Sequence, residues 1–165
     1  MKNLFYAALV LPLLITSSLL FAAPKKGIVI SVELSPAGSF EITGRLKGSI
    51  TKKGSSFSAE KLTFSVPKLK TGLELRDEHT IKYLSNSGKF KTITVVAKGK
   101  DGKGIGIAKV RGKKKKFKFT YEQSGRYIIA KFKLSLKEFG IDGISYMGIG
   151  VDDQVEIIAT VPVKS

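Results

Sequence analysis

The stretch Lys116-Phe117-Lys118-Phe119-Thr120-Tyr121-Glu122-Gln123-Ser124-Gly125-Arg126-Tyr127-Ile128-Ile129-Ala130-Lys131-Phe132-Lys133-Leu134-Ser135-Leu136 decides the fold class. Phe117, Phe119 and Tyr121 alternate with Lys116, Lys118 and Thr120. After the turn signal Glu122-Gln123-Ser124-Gly125, Ile128, Ala130, Phe132, Leu134 and Leu136 alternate with Lys131, Lys133 and Ser135. Period-two alternation places successive side chains on opposite faces of an extended chain. The passage therefore reads as a β-hairpin, greasy on one side and cationic on the other.

The same pattern extends outward in both directions. Gly27 to Leu34, Phe40 to Lys47, Leu62 to Val66, Phe90 to Lys98, Ile105 to Val110 and Val155 to Val161 read as further strands, about eight in all. Gly, Ser, Asn and Asp interrupt them, as in Lys100-Asp101-Gly102-Lys103-Gly104. An all-β, largely hairpin-connected antiparallel sheet with one apolar face must curl into a barrel or fold into a sandwich, since almost no helix is available to cover it. A closed eight-stranded sheet either fills with side chains or holds one small ligand. One segment departs from the pattern. Thr71-Gly72-Leu73-Glu74 has capping-box spacing, with Thr71 as N-cap and Glu74 at N3, and Leu73, Ile81 and Leu84 share a helical face. A short helix over residues 73–84 follows.

Composition removes whole classes of chemistry. The 165 residues include no Cys, no Trp and one His. Disulfides, thiol nucleophiles, iron–sulfur centres, Cys-ligated zinc and His-cluster metal sites are excluded, and no metal or cofactor is expected. Hydrophobic residues make up 42% of the chain, too many for a disordered basic tail. Lys and Arg number 29 against 13 Asp and Glu, a net charge of +16.

The beginning of the chain reads as a leader. Met1-Lys2-Asn3 is a short positive start, Leu4 to Phe21 is apolar, and Ala22-Ala23-Pro24-Lys25-Lys26 ends the run. This is the layout of a secretory signal peptide, with Pro12 and the small terminal residues favouring cleavage over a membrane anchor. The expected organisation is residues 1–22 as signal peptide and 23–165 as one β-barrel domain. Only Lys2 among the charged residues lies in the leader, so the mature charge is +15. The expected location is periplasmic or secreted.

Four stretches together resemble the YceI family of periplasmic lipid-binding proteins. Thr71-Gly72-Leu73-Glu74-Leu75-Arg76-Asp77-Glu78-His79 is similar to the family's TG…RD-x-H segment, which follows a strand ending like Phe64-Ser65-Val66-Pro67-Lys68-Leu69. Leu136-Lys137-Glu138-Phe139-Gly140-Ile141 resembles its acidic-Phe-Gly-hydrophobic signature. Val151-Asp152-Asp153-Gln154-Val155-Glu156-Ile157 is similar to its closing strand, and Ile42-Thr43-Gly44-Arg45-Leu46-Lys47-Gly48 fits an early strand. Lys91 stands where the family usually has Pro, and of an expected His-Gly pair near Arg111-Gly112 only the Gly remains. The resemblance implies a lipocalin-like antiparallel barrel that binds a long-chain isoprenoid, an isoprenoid quinone or a polyprenyl lipid, without catalysis.

Candidate functional residues follow. Phe40, Ile42, Phe64, Phe117, Phe119, Phe132, Leu134 and Phe139 are core in the plainest reading and cavity lining in the one the resemblance implies. Tyr146 and Met147 are candidates for the mouth or wall. Arg76 and His79, at i and i+3, can face together. With Asp77 they read as a structural clasp or a head-group contact, because no nucleophile or second carboxylate accompanies them in a recognisable motif. Lys113, Lys114, Lys115 and Lys116 form a cationic patch suited to an anionic membrane surface. Nucleic acid is not expected, since Phe117 and Phe119 alternate away from the lysines. The competing reading is a basic surface-binding module for anionic lipid or polymer whose core is filled.

Overall fold

A computed structural model describes residues 26–164; the leader read at residues 1–22 lies outside the described residues. The elements run β1 (Gly27–Ser35), β2 (Ser39–Gly44), β3 (Leu46–Lys47), β4 (Thr51–Lys53), β5 (Ser56–Ser65), α1 (Glu74–Ser85), β6 (Thr92–Lys100), β7 (Lys103–Val110), β8 (Lys113–Ser124), β9 (Tyr127–Ser135), β10 (Ser145–Tyr146) and β11 (Ile149–Pro162). Short 3-10 turns occupy Val66–Lys68 and Lys137–Phe139. The strands form one antiparallel sheet in the order β2-β1-β11-β9-β8-β7-β6-β5-β3, with β4 beside β5 and β10 beside β11.

The barrel is nearly closed by a single run of chain. Phe40 to Lys47, expected as one strand, is two. β2 pairs with β1, and β3, one residue further on, pairs with β5 at the opposite edge of the sheet. Gly44 lies at the break, where a Cβ would stand 2.5 Å from the Leu69 side chain and 3.1 Å from Ile28. The missing side chain lets the strand bend against its neighbours. The path therefore contains nine strands instead of eight. The hairpin of β4 with the start of β5 escaped the sequence reading because Thr51 to Ser56 is Lys-, Gly- and Ser-rich, with no apolar face to betray it.

Alternation is kept in phase across irregular joints. Between Ala59 and Leu62 of β5 the register with β6 slips, and both residues stay buried inside. This bulge preserves the inward set that a continuous ladder would have turned to solvent. The buried side chains Ile28, Ile30, Val32, Ile42, Phe64, Val95, Phe117, Val155 and Ile157 belong to this inner face.

The helix begins later than expected and without the expected cap. Leu73 is the N-cap residue, with no side-chain cap bond. The capping-box reading of Thr71 and Glu74 is thus overturned. The Thr71 hydroxyl lies 2.8 Å from Asp77 Oδ1, within the first turn of the helix, and is committed there. Phe90, expected to start a strand, instead lies over the β7–β8 turn, its ring 3.1 Å from where a Cβ on Gly112 would be.

The connections sort to two ends. α1, the β1–β2 turn, the β7–β8 turn and the long β9–β11 connection share one end. Arg111, in the β7–β8 turn, ties it to two of the others: its guanidinium donates to Gly140 O and, at 3.0 Å, to Asn86 Oδ1. The β6–β7 and β8–β9 hairpin turns lie at the other.

Candidate functional site

The inner side chains do not meet at the centre. They enclose a cavity of about 620 Å³, within the range of about 300–1,000 Å³ in which protein pockets bury small organic ligands. The lining is overwhelmingly apolar. Its basic side chains, Arg76, His79 and Lys82, all come from α1, and no acidic residue is found among the described residues that line it.

The cavity stays open because aromatic rings lie flat along one wall. Phe119 is the cross-strand partner of Gly104, and Phe117 of Gly106. A Cβ on Gly104 would come within 2.1 Å of Phe119 Cζ, and one on Gly106 within 2.4 Å of Phe117 Cζ. Tyr121 covers Gly99 in the same way, its Cε1 2.6 Å from that Cβ position. Phe117 also stacks on Phe132 at 4.4 Å between centroids, and Phe57 meets Tyr121 edge-on at 5.4 Å. Each glycine gives its ring a shallow seat, so bulk that would block the centre is spent against the wall.

The helical end forms the mouth. Leu73 and Leu75, 56% and 59% exposed, and Ile149 line the cavity while facing solvent. Arg76 lies over the Phe40 ring at 4.6 Å from its centroid, a cation–π contact at the opening. His79 and Tyr83 complete the helical side of the lining.

Two carboxylates fasten this end. Asp77 is buried: its Oδ2 accepts from Lys70 Nζ at 3.0 Å, and its Oδ1 from Thr71 N at 2.6 Å. These bonds, that from Lys70 first, hold its carboxyl below the ordinary value of 3.8. Asp153 Oδ1 accepts from Lys137 N and its Oδ2 from Ser135 Oγ, each at 2.8 Å, with the same downward effect on its pKa. Asp77 pins the helix to the strand-end segment Lys70-Thr71; Asp153 pins the 3-10 turn after β9.

Phe40, Ile42, Phe64, Phe117, Phe119, Phe132, Leu134 and Phe139 all line the cavity. Arg76 and His79 line it too, whereas Asp77 faces Lys70 and Thr71 outside it. Met147 does not line it: at φ 51° in the turn before β11 it is 84% exposed. Tyr146 lies on β10, and its side chain is outside the described residues. The lysine run is split by strand alternation. Lys114 and Lys116 point outward opposite Lys109 and Ile107, while Lys113 and Lys115 fall on the side of Phe117, and Lys113 Nζ reaches the Gly140 turn. Sequence reasoning missed Tyr121, Leu73, Leu75 and the seat glycines. An aromatic strand facing Gly104-Ile105-Gly106 was the available signal.

Solved structures share this architecture. A polyisoprenoid binding domain from Saccharophagus degradans, implicated in plant cell wall breakdown, superposes with a TM-score of 0.60 at 11% identity, over 81% of this chain and 90% of that one. BcnA of Burkholderia cenocepacia gives 0.61 at 14% identity, over 81% and 94%. At such identities the likeness concerns the fold. No curated protein matches the chain. The YceI-like domain family matches residues 24–163. That span takes in the barrel, the mouth helix and both carboxylate clasps, and the chain belongs to the YceI-like family.

Proposed function

We propose that the protein holds a long isoprenoid lipid, an isoprenoid quinone or a polyprenyl lipid, inside the barrel and carries or stores it in the periplasm or outside the cell without altering it chemically. The observation that carries this reading is the open apolar cavity with exposed leucines at its mouth. Each methylene moved there from water contributes about 0.8 kcal/mol, so a polyprenyl chain binds through burial with little polar help. The polyisoprenoid binding domain with the same fold supports the choice of guest. An open interior also stands against a filled-core surface module.

Organic extraction of protein purified from its native host, followed by mass spectrometry, tests the reading. A stoichiometric isoprenoid is expected. Ala130, an inner-wall residue opposite Ala159, offers the control: Ala130→Phe narrows the cavity and should purify folded but largely lipid-free. A wild-type protein that neither carries nor takes up polyprenyl lipid overturns the proposal.

Docking on an anionic membrane belongs to the same reading. On the outer wall Val96 pairs with Ile107, and Ile105 lies between Lys98 and Lys118. All three apolar residues are exposed, and Lys100, Lys103 and Lys116 surround them. Such a face suits lipid head groups above and acyl chains beneath, and its charge repels a second copy of itself. Charge reversal of Lys100, Lys103 and Lys116 should weaken binding to anionic vesicles; unchanged binding would remove this component.

A further inference from the structure

We infer that the outer wall of β6, β7 and β8 recognises phosphomonoester lipids, through two pairs of lysines set directly opposite one another, Lys100 with Lys103 and Lys109 with Lys114. The inference rests on the membrane-docking part of the proposed function and adds the chemistry of the head group.

The first pair joins β6 to β7 and the second joins β7 to β8. All four side chains are exposed. Residues directly opposite in an antiparallel sheet have Cβ atoms about 4.5–5.5 Å apart, and like charges placed there oppose folding. Neither pair is relieved by a carboxylate. Among the described residues, the ion pair on this side of the barrel is that of Lys133 with Glu156, at 2.7 Å. Asp101, in the turn between Lys100 and Lys103, and Glu60, at the rim of the same face, pair with none of the four. Each lysine pair also has a hydroxyl beside it. Thr120 lies opposite Lys103, with Lys131 beyond it, and Thr94 lies opposite Lys109. Positions facing water gain nothing from ammoniums set this way. Two such arrangements framing one apolar patch are explained by an anion that neutralises both members of a pair at once.

The pairing selects the kind of anion. A lysine ammonium offers three donors and no acceptor. A phosphomonoester carries about −1.5 to −2 charges at neutral pH and three strong acceptor oxygens, enough to accept from two ammoniums and a threonine hydroxyl together. A phosphodiester head group has a single charge and one fewer terminal oxygen, and leaves most of the lysine–lysine repulsion in place. Lys103 and Lys109 stand about 20 Å apart along β7. Exposed Ile105 and Ile107 lie between them, with Val96 opposite Ile107. Head groups held at the two ends leave this apolar strip facing the bilayer. A soluble polyanion has no use for the strip, so a lipid surface is the source of the phosphate.

Co-sedimentation with two kinds of vesicle tests this. One contains phosphatidic acid, a phosphomonoester, and the other phosphatidylglycerol, a phosphodiester, both in zwitterionic lipid and matched in electrophoretic mobility at neutral pH. Wild type should favour the phosphatidic acid vesicles by about 5-fold or more, the combined worth of several exposed charge-assisted contacts. Lys103→Gln and Lys114→Gln should each reduce that preference, with the urea midpoint unchanged or raised because a like-charge contact is removed. Lys116→Gln takes the same charge from a lysine opposite Ile107; it should weaken binding to both vesicles alike and keep the preference. Equal binding of wild type to the two vesicles overturns the inference and leaves docking intact. So does a preference that survives Lys103→Gln and Lys114→Gln together, or that Lys116→Gln lowers as far. Capture of soluble polyphosphate without vesicle binding, or binding to neither, overturns the docking reading along with the inference.

Discussion

Gly104 and Phe119 face each other across β7 and β8, and the ring lies so close that a Cβ on the glycine would be 2.1 Å from Phe119 Cζ. The pair makes an opening by subtraction. The missing side chain opposite lets the Phe119 ring lie back against the wall. Gly106 with Phe117 and Gly99 with Tyr121 repeat the device.

Gly104→Ala should accordingly push the Phe119 ring off the wall. Overpacking of this kind costs about 1–3 kcal/mol, readable as a lower urea midpoint, and the displaced ring should reduce uptake of a polyprenyl probe. Combining it with Phe119→Leu should restore much of both, because the two residues are in direct contact and their effects do not add. A double variant that behaves as the sum of the singles would refute the seating.

Arg111 is expected to hold the mouth together from behind. It bridges the β7–β8 turn to Gly140 O and Asn86 Oδ1. Arg111→Ala removes charge-assisted bonds, and for this half-exposed side chain the loss should be about 1 kcal/mol. The sharper readout is local: amide hydrogens at the C-terminal end of α1 should exchange faster, with those of β1 and β11 unchanged. Uniform exchange across the chain would contradict this.

Acid should loosen the helical end. Asp77 and Asp153 both have folded-state pKa values below their ordinary 3.8, through hydrogen bonds from Lys70 and Thr71 in one case and Lys137 and Ser135 in the other. A depressed carboxylate contributes stability that is complete above its unfolded value and is lost as pH falls through the folded one. Stability should thus be flat in this component from pH 7 to about 5 and decline below about 4. Asp77→Asn should lower stability at pH 7 and flatten part of that decline. Urea melts between pH 7 and 2 decide; a variant with the wild-type slope would show that Asp77 is not a source of it.

Emptying the wall should differ from filling it. Phe132→Ala removes the partner stacked on Phe117, and truncation of a packed Phe costs about 3–5 kcal/mol when the site cannot collapse. Phe132 is only half-buried and borders an existing cavity, so the lower end is expected, together with retained or increased uptake of a bulky isoprenoid. Loss of uptake with unchanged stability would show that the ring contacts the guest without supporting the wall.

Period-two alternation made the barrel's inner face legible. Phe117, Phe119, Phe132 and Leu134 were assignable to it because side-chain direction in a strand is local. The mouth was less readable. Leu73, Leu75 and Ile149 look like ordinary core residues in sequence, and only their position at an open end leaves them exposed. Thr71 carried a correct local signal for a cap, but Asp77, six residues on, captured its hydroxyl. Lys113 to Lys116 read as one patch and is divided between two faces by the same alternation that revealed the strands.

The sequence by itself determined the β class, the apolar inner face, the family and the basic exterior, since each depends on neighbours within a few residues or on overall composition. Whether the inner side chains fill the barrel was decided only in three dimensions. That depends on which residue stands across from each ring, Gly104 under Phe119 and Gly106 under Phe117, and cross-strand register is a property of the assembled sheet.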